Sequence, residues 1–317
     1  MASDTGYSGF YKIKKETTWG TAVTPDTDIG LLDATGSINE PQNVTENYGT
    51  GTRLNQQLTY GKYGVSGSLS GKIQNGALIA YAIGADSPSG TGPTTHTISQ
   101  YDNTSLNSFT LSQNMISNDK GFKAAGCKIN DFSLTLETDG ILSGTFNWIG
   151  KDVTTISSTV GTRSVYSNTV LPSYTGAISW NSSEIECKTF NLNYNNNLGD
   201  DEYSVGDRRR QAITQGAVSI NGNMGVIFSG LTEYGDFKTA FSTGVEIGTK
   251  RALSLVATTG ATSSLYELSF GLTNVALSET TRAIELSNNR IVAEFNWIAT
   301  SMGTVTYKDQ TSGNYIA

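Results

Sequence analysis

Residues 53–69 read RLNQQLTYGKYGVSGSL, and residues 208–224, RRRQAITQGAVSINGNM, repeat their pattern 155 positions later. Arg, Gln, Thr and two Gly coincide in the two segments, and four further aligned positions are apolar in both. A second pair of segments, residues 146–149 and 295–298, both read FNWI and lie 149 positions apart. Two matches with nearly the same period indicate one domain that occurs twice, and surface loops absorb the small difference in period.

The composition favours strands over helices. The 317 residues include 35 Gly but only 5 Pro, and Thr, Ser and Asn are abundant, which is typical of strands joined by tight turns. The length suffices for two domains of about 150 residues. We therefore predict an all-β fold of two tandem duplicated β-sandwich or barrel domains, with one short helix per domain. The predicted divisions are an N-terminal arm (1–24), domain 1 (25–150), a linker (151–171), domain 2 (172–309) and a C-terminal tail (310–317).

Local patterns place the helices and the irregularities of the strands. Apolar residues at helical spacing predict helices at 75–85 and 231–243. The period-two pattern of residues 58–69 changes phase at Gly61, which predicts a bulge there and at Gly216 in the second copy. Asp139 and Gly140 form a typical hairpin turn.

Charge and hydropathy exclude several classes of protein. The net charge is −7, and the only basic run is 208–210, too short for a protein that grips nucleic acid phosphates. We interpret it as a donor of salt bridges between subunits. No apolar run approaches the roughly 20 residues that span a bilayer, and the N-terminus lacks the features of a signal peptide. We expect a chain made in a cytoplasm, without a membrane partner.

Catalytic groups are sparse. The chain has a single histidine, His96, which we interpret as a surface or strand-edge residue because no nucleophile or base pattern surrounds it. The acidic residues 200–202 read as a solvated loop rather than a glycosidase pair. Cys127 and Cys187 have neither disulfide nor metal spacing and are expected to be buried free thiols. We predict neither an enzyme nor a cofactor or metal site.

Residues 16–25, ETTWGTAVTP, are followed by a strand, a Gly/Thr loop, the repeat strand with its Arg-x-x-x-x-x-Thr-x-Gly pattern and Gly-x-x-Gly tail, and a short Ala-rich helix. In this motif and order of elements the chain resembles the tail tube proteins of tailed bacterial and archaeal viruses. The resemblance implies tail-tube-type domains in hexameric rings that stack around a channel for the genome. A chain with two such domains would build a trimeric, pseudo-hexameric ring.

The resemblance also implies the setting of the protein and its partners. It would lie in the virion tail after assembly in the host cytoplasm. Its partners would be further copies of itself, the tape measure, the tail terminator, the baseplate and, where one exists, a sheath. DNA would pass through the channel without specific binding, and a net-acidic wall suits that role because it repels phosphate.

Three groups of residues are candidates for assembly roles. The candidates for the inner sheet of the ring are Arg53, Gln56, Gly61, Gly67 and Trp148, with Arg208, Gln211, Gly216, Gly222 and Trp297. The candidates for contacts between stacked rings are Glu46, Tyr48, Asp200, Asp201, Glu202, Arg209 and Arg210. In the N-terminal arm the candidates are Trp19, Gly20 and Pro25.

Three alternatives stay open at this point. A tail-completion or baseplate hub ring would use the same domain but would form one ring and stop. A carbohydrate-binding adhesin module would use its aromatic side chains to bind glycans. An enzyme is the least favoured, because its catalytic groups are not found.

Overall fold

The computed structural model describes residues 9–101, 105–115, 120–158, 168–227, 250–259, 266–282 and 291–316. Within them the chain is nearly all β, as predicted. The strands of the first half are β1 (Gly9–Lys15), β2 (Thr27–Asp28), β3 (Leu31–Asn39), β4 (Gln42–Tyr48), β5 (Asn55–Tyr63), β6 (Val65–Ile73), β7 (Gly84–Ser89), β8 (Thr94–Gln100), β9 (Phe109–Met115), β10 (Lys120–Glu137), β11 (Ser143–Gly150) and β12 (Asp152–Ile156). Those of the second half are β13 (Ala177–Trp180), β14 (Ser183–Ile185), β15 (Cys187–Asn195), β16 (Ser219–Ile227), β17 (Arg251–Thr258), β18 (Glu267–Arg282), β19 (Val292–Ala299), β20 (Ser301–Met302) and β21 (Val305–Asp309).

An eight-stranded antiparallel sheet, here called the inner sheet, runs through both halves. Its order is β3-β6-β11-β10-β15-β16-β19-β18. The first four strands come from the first half and the last four from the second. Side chains along β11 and β19 alternate between buried and more exposed, so one face of the sheet covers the core and the other is open.

Two outer sheets cover the buried face of the inner sheet. One has the order β2-β1-β9-β10-β12, and the other contains β14-β13-β17-β18-β21-β8-β7. The long strands β10 and β18 belong to both layers, and each has register shifts between its two parts. A bulge bends a strand, so these two strands carry the chain from the outer to the inner layer.

The core between the layers is built from alternate residues of facing strands. Tyr11 of β1 reaches across and donates its hydroxyl to the carbonyl oxygen of Gly36 in β3, at 3.0 Å. In the second half the rings of Phe190 and Phe270 lie 6.3 Å apart across the same gap. Aromatic residues supply the largest buried side chains, which include Trp148, Trp180, Trp297, Tyr81, Tyr194, Tyr307 and Phe132.

One α-helix, α1 (Ala77–Ile83), occurs in the described residues, inside the predicted range 75–85, and Ser173–Thr175 form a short 3-10 helix. All residues of α1 are buried. Its N-cap, Gly76, makes no side-chain capping bond, and the side-chain oxygen of the preceding Asn75 accepts a hydrogen bond from the Ala77 amide at 3.0 Å. The second predicted helix, 231–243, lies outside the described residues.

The hairpin β4–β5 stands apart from the layers as a two-stranded sheet. Opposite Asn43, residues 61 and 62 form an extra step between the pairs Gln42–Tyr63 and Val44–Tyr60, which is the bulge expected at Gly61. β5 ends at Tyr63 and β6 begins at Val65, with Gly64 between them, so the segment predicted as one strand forms two strands. In the second half, residues 208–218 are irregular and the strand begins only at Ser219, which corrects the expectation of a strand from Arg208.

Parts of the predicted arm, linker and tail belong to the folded layers. β1 pairs with β9 along its whole length, and β12 pairs with β10. Residues Tyr315 and Ile316 are buried in the core. These segments are mostly polar in sequence, so the few buried apolar side chains that anchor them, such as Ile13, were not recognised from the sequence.

Candidate assembly interface

A tryptophan faces a glycine at the same place in each half of the inner sheet. Trp148 of β11 lies opposite Gly67 of β6, and Trp297 of β19 lies opposite Gly222 of β16. A Cβ on Gly67 would lie 2.1 Å from the Ser37 carbonyl oxygen and 2.4 Å from the indole, and one on Gly222 would lie 2.0 and 2.4 Å from the corresponding groups. Neither position has room for a side chain.

The bulges next to these tryptophans also recur. β10 shifts its register between Ile129 and Asp131, and β18 shifts between Leu277 and Glu279. Each bulge places a carboxylate beside an asparagine of the neighbouring strand: Asn147 donates to Asp131 at 2.6 Å, and Asn296 donates to Glu279 at 2.8 Å. The two halves of the inner sheet therefore share register, bulge and polar contact.

The open face of the inner sheet is polar and lacks an excess of basic groups. Its charged side chains include Asp131, Glu279 and Glu294, and Lys72 is held by Asp33 at 2.6 Å. Such a face attracts water but not phosphate. The uncharged residues along it include Ser37, Asn39, Ser66, Ser68, Asn147, Asn191, Asn193, Asn221, Asn223 and Asn296.

The two halves join through strand pairing at the centre of the inner sheet. β10 pairs with β15 over seven residues, from Asp131 opposite Asn195 to Glu137 opposite Thr189. At this seam the rings of Phe132 and Tyr194 stack with centroids 5.2 Å apart. Within the inner sheet, β3 and the 276–282 part of β18 are outermost, and each pairs with one strand only among the described residues.

A second seam joins the outer layers. β8 of the first half pairs with β21 of the second, and His96 of β8 is completely buried there, so its expected surface position is wrong. Its Nδ1 lies 3.0 Å from Asp86, and its Nε2 lies 2.9 Å from the Thr311 carbonyl oxygen and 3.4 Å from Asp309. Sequence reasoning missed this cluster because Asp309 and Thr311 lie more than 200 positions from His96 and Asp86.

The irregular segment 196–218 of the second half lies against the first half. The guanidinium of Arg210 is buried and donates to the carbonyl oxygens of Asp200, Val65 and Gly150 at 2.8, 2.8 and 2.9 Å. Arg208 donates to the Gly61 carbonyl oxygen at 2.7 Å. These two arginines therefore bind the chain's own first half.

The other residues predicted to contact the next ring lie at the surface of the hairpin β4–β5 and of segment 196–218. Glu46 and Tyr48 are exposed on the hairpin β4–β5 and hydrogen bond to each other. Asp201 pairs with Lys62 of the hairpin, and Arg209 lies 3.4 Å from Asp152. Glu202 accepts hydrogen bonds from Thr214 within its own segment.

Only part of the predicted inner-sheet set lies in the inner sheet. Four of the ten, Gly67, Gly222, Trp148 and Trp297, are there. The other six precede the sheet strands, because β6 begins only at Val65 and β16 only at Ser219. Arg53, Gln56 and Gly61 lie in or beside the hairpin, and Arg208, Gln211 and Gly216 lie in the irregular segment.

A buried carboxylate organises the N-terminal motif. Glu16 accepts hydrogen bonds from the amides of Gly20 and Gly126 at 2.9 and 2.7 Å, and from the hydroxyls of Ser108 and Thr110. Trp19 donates to the Gly126 carbonyl oxygen at 3.1 Å. Gly20 has φ +72° and Pro25 is buried, so the motif fixes a turn against β9 and β10.

The described residues contain no group of three His, Cys, Asp or Glu side chains that could hold a metal ion. Cys127 and Cys187 are both free; Cys127 is buried as expected, whereas Cys187 is only partly buried, and desolvation raises the pKa of its thiol to about 12. Among these residues, no helix has the length and apolar character needed to cross a membrane.

Comparison with models of known protein families gives a match over most of the chain. A search of curated proteins found no match. The sequence model of the family described as phage tail tube protein matches residues 6–299, a span that includes the whole inner sheet. That family is structural and non-enzymatic. The chain belongs to the phage tail tube protein family and is a structural component of the virion tail.

Proposed function

We propose that three copies of the chain close into a ring, and that these rings stack into a hollow tube through which the viral genome passes. The observation that carries the proposal is the seam between β10 and β15. By the shared register of the two halves, β10 corresponds to β18 and β15 corresponds to β3. The two free edges of the inner sheet are therefore the same pair of strands that already meet inside the chain.

The pairing of β10 with β15 inside the chain gives the register expected for the proposed pairing of β18 of one copy with β3 of the next. Within the chain, Ser133 of β10 lies opposite Asn193 of β15. The corresponding residues of the free edges are Thr281 and Asn39, so Thr281 of one copy would lie opposite Asn39 of the next. Such pairing consumes strand edges that would otherwise promote aggregation, and a repeated head-to-tail contact closes into a ring.

Ring size and lining follow from the same correspondence. A ring of six equivalent four-stranded units, the number that the resemblance implies, needs three chains. The open face of the inner sheet would line the channel, and its Asn, Ser and acidic side chains would let DNA pass without binding it. Tyr48 and Leu54 near the hairpin tip are exposed and would contact the adjacent ring. The ends of such a tube would meet the tape measure, the tail terminator, the baseplate and, in some tails, a sheath.

The test is negative-stain electron microscopy of the purified protein over a concentration series. We expect hollow tubes of stacked rings whose end views have three-fold symmetry. A single ring that never extends would favour a hub or tail-completion role. A monomer at every concentration would contradict the proposal. Glycan binding by that monomer would favour the adhesin, although Trp148, Trp180 and Trp297 are buried in the described structure.

A further inference from the structure

The segment 196–218 and the hairpin β4–β5 correspond to each other in detail, although one is irregular and the other is a sheet. Gly216 packs against Asn197, and Gly61 packs against Asn43. The Gly199 amide donates to the Thr214 carbonyl oxygen, and the corresponding residues Thr45 and Thr59 are partners in the hairpin. In this register Leu198 corresponds to Val44, and Ile213 corresponds to Leu58.

In the second half these two apolar side chains are covered. Leu198 and Ile213 are 9% and 6% exposed and form a small cluster with Leu106. Ile149, the last apolar residue of β11, packs against this cluster. The segment from the second half thus covers an apolar site on the first half.

In the first half the corresponding side chains are bare. Val44 and Leu58 are 47% and 56% exposed. They lie on one face of the hairpin, because Val44 is opposite Tyr60 and Glu46 is opposite Leu58. Arg208 lies over the Tyr60 ring on that face, 5.4 Å from its centroid, but Val44 and Leu58 stay exposed in the described chain, which is unusual for neighbouring large apolar groups.

The site that such a hairpin would cover is bare as well. Ile298 of β19 corresponds to Ile149 and is 54% exposed, and Val218 beside it is 38% exposed. They border a depression of about 570 Å³ that also includes Asn296. The corresponding depression, beside Ile149 and Asn147, is about 290 Å³.

We propose that the hairpin β4–β5 of one copy packs onto the Val218–Ile298 patch of a neighbouring copy in the same ring, with Leu58 against Ile298. This inference rests on the proposed ring, and it names a second contact beside the β18–β3 seam. Two apolar patches that correspond to a buried contact within the chain then become buried on each other. The residues nearer the hairpin tip stay free for the next ring.

Cysteine cross-linking tests the contact. In a Cys187→Ser background, Leu58→Cys combined with Ile298→Cys should give a ladder of covalent oligomers that ends at a trimer when assembled rings are treated with a short bismaleimide. A mixture of the two single variants should give dimers only. The internal control, Ile213→Cys with Ile149→Cys, should link within one chain, and Leu54→Cys with Ile298→Cys should not link.

The outcomes separate the two proposals. Rings seen by electron microscopy with an efficient internal link, but no link between Leu58→Cys and Ile298→Cys, would overturn this contact and leave the ring standing. A link from Leu54→Cys in place of Leu58→Cys would overturn it too. Failure of the unmodified protein to form rings at any concentration would overturn both.

Discussion

Gly67 and Gly222 are conspicuous among single residues because the indole of a tryptophan packs against each of them. The space for a Cβ is closed by a backbone carbonyl oxygen, which cannot move without breaking the strand ladder. Tryptophan and glycine are therefore a matched pair at the centre of each half. The sequence indicated these positions through the recurrence of both residue types, but the contact itself depends on register.

Replacement of Gly67 by alanine is expected to lower the free energy of unfolding by about 1–3 kcal/mol, the usual range for overpacking. The matched control is Gly271→Ala in β18, where no atom lies within 4 Å of the added Cβ. Urea unfolding followed by tryptophan fluorescence would compare them. Equal losses for the two variants would contradict the close packing at Gly67.

His96 makes stability depend on pH. Burial alone would lower its pKa, but the hydrogen bonds with Asp309 and Asp86 outweigh burial and raise the pKa from 6.5 to about 9. Both ring nitrogens face acceptors, so the imidazolium donates from each. Because the folded-state pKa is the higher one, this stabilisation is complete below about pH 6.5 and is lost as the pH rises through about 9.

Unfolding experiments at pH 6 and pH 9.5 on the wild-type chain and on His96→Gln would test this. We expect the stability advantage of the wild type to shrink by about 2–3 kcal/mol between these pH values. A constant difference between the two proteins would show that His96 does not titrate in that window.

At the scale of elements, the segment 196–218 and the hairpin β4–β5 show where sequence reasoning ends. Their similarity in sequence is readable in residues such as Gly61 and Gly216, and the bulge at Gly61 could be predicted from the change of phase alone. The different conformations could not, because the apolar side chains Leu198 and Ile213 of the segment are buried against the first half, whereas Val44 and Leu58 of the hairpin stay exposed in the described chain. The buried position of His96 escaped prediction because its partners Asp309 and Tyr315, whose ring stacks on the imidazole with centroids 3.7 Å apart, are distant in sequence.

Arg210 is the residue that holds segment 196–218 in place. Its removal in Arg210→Ala would leave the carbonyl oxygens of Val65 and Gly150 without their donor, at an expected cost of about 2–3 kcal/mol. The neighbouring Arg209→Ala removes an exposed contact with Asp152 and should cost less than about 1 kcal/mol. Limited proteolysis should cut the segment faster in Arg210→Ala, and equal cleavage rates would argue against this role.

At the scale of the whole molecule, the chain is a strip of eight strands whose two ends correspond to the two strands that meet in its middle. This explains why the described part of a structural tail protein carries an extended polar face and two strand edges without a neighbour in the inner sheet. All-β class and membership of the tail tube family were predictable from composition and from the N-terminal motif. The register that relates the free edges was not, because it depends on pairings between distant strands.

The number of chains in one ring tests the central claim most directly. Native mass spectrometry of the smallest closed ring is expected to give three times the chain mass of 33.8 kDa, because in the proposed ring each chain supplies two of six equivalent units. A ring of six chains would contradict the account, since one half of each chain would then have no place in the sheet that lines the channel.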